Sequence, residues 1–491
     1  MFVALLIVLP LTALFLAWFY LFRNNTDIPV SPGAKPIVGH MHQFMDITME
    51  NLHLFEERYF KITDPAKAGP VSHMKFFFKS NFSLNTVKVA QPLFKSNVNV
   101  DKSFQYDDFA GWLADSVLIL PGKEWHKRRL MLTPAFHFSI LDDFSQTMKK
   151  HAGIFVDLII SDRTKSLTQS IEEATFYSLC ETSFGVEFAS REESNAFLAP
   201  MESLAQAFFE KSSSQNPLTR YDWYFSRTES GKLYKSSLDA LNGQIMKLIQ
   251  NAKTALERGE TKLHNGRRGF IDQMVFEQAD KKELTDEQII GECNTILLAG
   301  HATTTGTIAF CIYYLCRHPD VQERLFEEIS EHLAGKEFDD IDVTSLSYLG
   351  MVVKETLRLQ PPGSIIGRRL TEPMEADGHI LPAGTNIDIS IWWIHRDPEY
   401  WEDAEKFDPE RFTEENSRGR NPYAYVPFSA GPRNCLGQRF ANIEARLFIA
   451  ALVYNFKMSS DQVLGQGLFR TIHNVSAVPG PNFKVDFETR Y

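Results

Sequence analysis

Residues 2–22 carry no charged side chain. At about 1.5 Å per helical residue such a run reaches roughly 30 Å, the depth of a bilayer's hydrocarbon core. No basic residue precedes it, no small-residue cleavage pattern closes it, and the first cation, Arg23, follows directly. The pattern predicts one N-terminal transmembrane helix over residues 1–23, with an uncleaved or late-cleaved signal segment as the rival. The positive-inside bias then leaves the remainder on the cytosolic face. Pro29, Pro32 and Pro36 stiffen residues 24–40, which read as a semi-rigid spacer or an ordinary linker.

Residues 41–491 follow a mainly helical pattern with a small β region and no internal repeat. Thr285 and Gln288 have capping-box spacing, and apolar positions run on through Ile289, Ile296, Leu297, Ile308, Phe310 and Tyr314 to His318-Pro319. A helix this long and this apolar must lie buried in the middle of a domain. Pro319 suits the first turn of a second helix, reaching about Ile329. A third is predicted from about 346 to 359, stopping before Pro361-Pro362. β-rich patches fall at 71–90, 364–390 and 470–487. Residues 211–225 form a polar break followed by aromatics, either an interfacial loop touching lipid or a packed loop.

Composition narrows the function. The 491 residues carry a net charge of −11, which argues against nucleic acid as a partner. The 39 phenylalanines suit an apolar ligand or plain core packing. Five irregularly spaced cysteines give no zinc pattern and fit a reducing compartment, four of them as buried packing residues.

The fifth, Cys435, stands in Phe428-Ser-Ala-Gly431-Pro-Arg433-Asn-Cys435-Leu-Gly437. Two glycines permit tight turns beside the sulfur, an apolar helix follows, and Arg433 would help to keep a thiolate ionised. The string resembles the cysteine-ligand loop of the cytochrome P450 superfamily, FxxGxRxCxG, at every fixed position. The resemblance implies the P450 fold, with Cys435 as the axial ligand of a haem iron and Phe428 and Gly437 beside it.

Further motifs extend the resemblance over most of the body. Glu355-x-x-Arg358 shares one helix face, and Phe407-Asp-Pro409-Glu-Arg411-Phe412 resembles the segment whose arginine closes a buried triad with that pair. Trp125-x-x-x-Arg129 resembles a family helix that contacts a haem propionate. Arg368 and Arg433 are implied propionate partners as well. Ala299-Gly300-His301-Ala302-Thr303-Thr304 resembles the oxygen-activation motif AGx(D/E)T(T/S). Gly300 would let the helix loosen and pass close to the haem. Thr303, with Thr304 next to it, would relay protons, although a threonine can equally bond back to the carbonyl four residues earlier. Ala302 replaces the usual acid, so proton delivery needs another donor.

Residues 122–141 are similar to the clan containing the family 4 enzymes, among them fatty-acid ω-hydroxylases. Ala299 stands where many of those carry a haem-esterifying Glu, which implies non-covalent heme b. The resemblance implies a monooxygenase that inserts one oxygen atom of O2 into an apolar substrate such as a fatty acid, steroid or xenobiotic. Electrons would come from the NADPH-cytochrome P450 reductase of the endoplasmic reticulum, with cytochrome b5 as a further candidate partner. Lys123, His126, Lys127 and Arg128 form a basic cluster suited to an acidic partner. Rival readings are a haem-thiolate isomerase or dehydratase, which Ala302 allows, and a non-enzymatic membrane haem protein.

Overall fold

A computed structural model describes residues 26–491, except 37, 49–52, 77–78, 162–165, 215, 282, 464–468, 473–475 and 480–482, together with Thr12 and Phe15. Apart from those two positions, the predicted anchor lies outside the described residues.

The principal elements, in chain order, are α1 (His53–Thr63), β1 (Val71–Phe76), β2 (Lys79–Leu84), α2 (Gly122–Leu132), α3 (Phe138–Ser161), α4 (Leu167–Phe184), α5 (Arg191–Ser213), α6 (Glu229–Arg258), α7 (Asp286–Arg317), α8 (Pro319–Leu333), α9 (Ser347–Leu359), β3 (Ile365–Arg369), β4 (Asn386–Ser390) and α10 (Gln438–Asn455). Shorter helices and two-stranded ribbons connect them.

The capping box of α7 forms as predicted. Thr285 Oγ1 accepts the Gln288 N–H at 3.3 Å, and Gln288 Oε1 accepts the Thr285 N–H at 3.1 Å. The 32-residue helix is shared between two cores. Its first half gives Ile289, Cys293, Leu297 and Leu298 to a cluster with α4, α5 and α6. Its second half gives Ile308, Cys311, Ile312 and Leu315 to a cluster with α3, α8, α9 and α10. The motif at 299–304 falls where the two cores meet. Among the described residues α7 is the one helix long and apolar enough to cross a membrane, yet 78% of its most apolar window is buried inside the protein. It is a core helix.

The main sheet has the order β1–β2–β4–β3. β1 and β2 form an antiparallel hairpin, β2 and β4 run parallel, and β3 and β4 pair antiparallel with Arg368 opposite Ile387. The proline-rich segment does not stand off as a free spacer. The Ser31 N–H donates to His73 O at 2.8 Å and the His40 N–H to Lys75 O at 2.7 Å, so it lies along this hairpin.

Two local expectations change and one holds. The β-rich reading of 71–90 ends at Leu84, because Val87, Ala90, Leu93 and Phe94 recur at helical spacing and build the buried face of a helix over Val87–Lys95. At the C-terminus the β-rich reading of 470–487 holds: Phe469–Ile472 pairs with Ser476–Pro479, and Asp486–Thr489 with Phe456–Ser459, which follows directly on α10. In the 211–225 segment α5 runs to Ser213, and short helical turns cover Pro217–Arg220 and Asp222–Phe225; Phe225 is buried, while Tyr221 and Trp223 are 58% and 59% exposed.

Candidate active site

The cysteine loop is shaped by close approach. Gly431 has φ +71°, and a Cβ there would lie 1.8 Å from Phe94 O, so no other residue fits. Gly437 is different. Its φ of −88° suits any residue and nothing lies within 4 Å of its Cβ position. It is the N-cap of α10, and its N–H points at the Cys435 thiol. Cys435 thus sits at the positive end of an 18-residue helix. Its own N–H donates to Phe428 O at 2.9 Å, which closes the loop, and the Phe428 ring packs against the larger core.

Cys435 is the only exposed cysteine; Cys180, Cys293, Cys311 and Cys316 are buried, as predicted. Although the residue is exposed, desolvation by the chain packed around the sulfur raises its pKa, opposed by the Gly437 N–H and by the charges of Arg129 and Lys102. A metal ion at the sulfur would deprotonate it outright.

The surroundings of Cys435 are strongly cationic. Arg433 is 8% exposed and donates to the carbonyls of Val100 (2.9 Å), Val117 (3.0 Å) and Leu120. Its guanidinium lies 4.3 Å from the centre of the buried Trp125 ring. Burial, then Arg368, bring its pKa down to about 9. Arg368 is 4% exposed and is also lowered by burial. Lys102 falls well below its usual value through burial and then the charges of Arg368 and Arg433. Arg129 turns to the loop itself, with Nη1 donating to Asn434 O at 2.8 Å and Nη2 to Asn434 Oδ1 at 2.9 Å. Among these cations the one carboxylate acting on Arg433 is Asp101. Buried cations that depress one another call for an anionic ligand. A group with two carboxylates and a metal to meet the sulfur fits this donor set.

The structure brings Glu355, Arg358 and Arg411 together. Arg358 meets Glu355 in a bidentate pair, Nε to Oε2 at 2.7 Å and Nη2 to Oε1 at 2.8 Å, with both side chains fully buried. Arg411 Nε approaches Glu355 Oε1 at 3.5 Å. Arg358 also donates to the carbonyls of His395 (3.0 Å), Ala404 (2.7 Å) and Lys406 (3.1 Å).

In the α7 motif, Thr303 Oγ1 donates to Ala299 O at 2.8 Å and Thr304 Oγ1 to Gly300 O at 3.0 Å, so both hydroxyls bond back within the helix. Gly300 does not loosen the helix, which runs unbroken. A Cβ there would lie 3.0 Å from both Leu179 methyls, so the glycine admits α4 instead. Ala302 is fully buried.

The basic cluster needs one correction. Lys123, His126 and Lys127 are exposed, but Arg128 is 6% exposed, pairs with Glu292 at 2.6 Å and donates to Asp115 O at 3.0 Å. Helical spacing from Trp125 places Arg128 and Leu132 on the buried face of α2.

Sequence reasoning missed Lys102, which belongs to no motif, and His395. The His395 ring accepts the Val426 N–H at Nε2 (2.8 Å) and so donates from Nδ1 to Arg358 O (3.1 Å). Burial, then the Arg358 charge, bring its pKa down to about 3, so it stays neutral.

The family profile described as "Cytochrome P450" matches residues 29–479. The chain belongs to the cytochrome P450 family: it is a haem-thiolate monooxygenase of the clan that contains family 4. It is similar to "Probable cytochrome P450 4ac3" of Drosophila melanogaster, 31% identical over 477 residues, covering 95% of this chain and 91% of that one. It is also similar to "Cytochrome P450 4V2" of Mus musculus, 30% identical over 461 residues, covering 90% and 86%. Among solved structures, the haem domain of cytochrome P450DA superposes with a TM-score of 0.77 at 20% identity, covering 94% of this chain and 98% of that one. That likeness supports the fold alone.

Removing Arg358 leaves the buried Glu355 with only the Asp408 N–H and the 3.5 Å approach of Arg411, and breaking a buried pair in this way costs about 3–5 kcal/mol out of a net stability of about 5–15 kcal/mol. Arg358→Ala is expected to yield little or no haem-containing protein when haem content is measured after expression. Normal haem content would show that the pair does not hold the cysteine loop.

Proposed function

We propose that this chain inserts one oxygen atom of O2 into a C–H bond of an apolar substrate, with Cys435 binding the iron of a non-covalent heme b. The observation that carries this reading is the convergence of Lys102, Arg129, Arg368 and Arg433 on a lone cysteine at a helix N-terminus. When bound, the haem supplies the oxygen chemistry, and a thiolate ligand favours O–O cleavage.

The side chains divide the remaining work. Arg368, Arg433 and Lys102 would hold the propionates, and the Trp125 ring packs against the Arg433 guanidinium. Arg129 holds Asn434 and so fixes the residue before the ligand. Thr303 moves a proton at its hydroxyl, which must first turn away from Ala299 O. Glu355, Arg358 and Arg411 position the loop. The absence of a carboxylate at Ala299 supports the non-covalent haem.

Electrons come from NADPH through a separate reductase, with cytochrome b5 as a second donor. The exposed Lys123, His126 and Lys127, beside the 61% exposed Leu130, suit an acidic partner with an apolar patch. The apolar N-terminal run and the exposed Tyr221 and Trp223 support attachment to the endoplasmic reticulum membrane with the catalytic domain in the cytosol.

Ala302 favours one second reading, an isomerase or dehydratase that needs neither O2 nor reductase. Candidate fatty acids and steroids are screened for shifts in the haem spectrum, and those that bind are incubated with reductase. Product that requires both O2 and NADPH is expected. Product formed without either would move the assignment to the isomerase reading.

Deleting residues 2–23 is expected to weaken membrane binding and leave haem content unchanged. Adding Trp223→Ser and Tyr221→Ser should release the remainder into the soluble fraction on flotation. Loss of folded haem protein on the deletion alone would place the segment in the core.

A further inference from the structure

β4 carries an acid into the main sheet. Ile387 and Ile389 pack into an apolar core on one face, so Asp388 between them points to the other. It is buried, and three side chains from distant parts of the chain donate to it. Tyr59 of α1 donates to Oδ2 at 2.8 Å, Asn81 Nδ2 of β2 to the same oxygen, and Gln105 Nε2 to Oδ1 at 3.2 Å. Gln105 stands on a short 3-10 helix over Phe104–Phe109. Burial raises the Asp388 carboxyl to about 6, with the three donors offsetting part of the shift. At neutral pH it is ionised and can only accept.

The carboxylate fixes both amides. Each gives its NH2 to Asp388, so each carbonyl oxygen is left over. Asn81 Oδ1 and Gln105 Oε1 are buried and have no hydrogen-bond partner among the described residues, and Ser103 Oγ is a third such atom. Asn81 is 1% exposed and Ser103 fully buried. Gly367 on β3 is the strand partner of Asp388, and a Cβ there would lie 1.9 Å from Ser103 Oγ. Opposite residues of antiparallel strands hold their Cβ atoms about 5 Å apart. The Ser103 hydroxyl therefore occupies the place of the missing Gly367 side chain, beside Asp388. Buried acceptors are rarely left bare, and amide oxygens cannot donate to one another. The cluster is short of a donor.

It also adjoins the cations beside Cys435. Tyr106 Cε2 lies 3.3 Å from the same Gly367 Cβ position, Lys102 Nζ lies 4.3 Å from the centre of the Tyr106 ring, and Arg368 follows Gly367 in the chain. An apolar track leaves from the same turn: the Tyr106 and Phe109 rings are 6.4 Å apart, and Phe109 stacks on Phe208 of α5 at 4.4 Å. A ligand that meets the bare oxygens must bring a donor. The Asp388 oxygens already accept three bonds, and an ammonium would add a charge near Lys102 and Arg368. A neutral hydroxyl brings the donor without the charge.

We propose that Asn81, Gln105 and Ser103 form a subsite for a hydroxyl group on an otherwise apolar substrate, with Asp388 as the positioning residue that orients the two amide oxygens toward it. The inference rests on the oxygenase reading above and narrows it: the substrate class is a lipid alcohol, held by its hydroxyl at this cluster while its apolar body follows the Tyr106, Phe109 and Phe208 rings. Asp388 touches no substrate and acts through the amides that it holds.

The test titrates the full-length haem protein with straight-chain alcohols and sterols, each beside its own methyl ether, and reads binding from the haem absorption spectrum. Etherification removes the donor and keeps the oxygen. A hydrogen bond to a buried acceptor is worth about tenfold in Kd, so at least one alcohol should bind about tenfold tighter than its ether. Gln105→Met removes one accepting oxygen at similar side-chain length and should bring that ratio down several-fold. Asp388→Asn supplies a donor of its own to the bare oxygens and should lower the ratio as well; it carries the test if Gln105→Met fails to retain haem. A merely structural role would weaken alcohol and ether alike, so an unchanged ratio in the variants overturns the proposal. A wild type that binds no alcohol tighter than its ether also overturns it, as when a water alone fills the cluster. Preference for the alcohol without any product that requires O2 and NADPH supports the subsite and overturns the oxygenase reading. Such product without the preference overturns the subsite alone.

Discussion

The bidentate pair between Glu355 and Arg358 is the contact on which the cysteine loop hangs. Its two carboxylate–guanidinium bonds are sealed from water, so the remaining donors of Arg358 must find oxygen inside the protein, and they find the carbonyls of His395, Ala404 and Lys406. Those contacts pin the chain that leads toward the ligand. The neutral His395 ring carries the order onward from Arg358 O to the Val426 N–H. The Ser429 N–H donates to Val426 O, and the Cys435 N–H returns to Phe428 O. The pair is a poor source of net stability, because desolvation offsets much of its attraction. Its value is geometric, since it fixes several backbone segments at one point.

A second constraint acts around the sulfur. Lys102, Arg368 and Arg433 are each held below their ordinary basicity by burial, and neighbouring cations add to the effect on Lys102 and Arg433. Such an arrangement persists only where something else in the fold holds it. The three carbonyls on Arg433 and the Trp125 face do so for that residue. The result is a cluster of cations beside Cys435 suited to an anionic ligand.

Local motifs made much of this legible in the sequence. The cysteine loop is contiguous, and Glu355 and Arg358 lie one helical turn apart, although only the family resemblance marked that pair as buried and not as a surface bridge. The capping box of Thr285 and Gln288 starts α7 where the pattern placed it. Lys102 and His395 were not legible, because their partners lie far away in the chain and only packing brings them together. Arg128 was misread because charge was weighed before periodicity. Gly300 was assigned to the haem face because a motif says that a glycine is needed but not which neighbour needs it.

The central claim is that Cys435 binds the haem iron as a thiolate. It is tested most directly by the absorption spectrum of the reduced, carbon-monoxide-bound protein. The wild type and the buried-cysteine variants Cys293→Ser and Cys311→Ser should show the red-shifted band of thiolate-ligated haem, and Cys435→Ser should lose it. An unchanged band in Cys435→Ser would contradict the account.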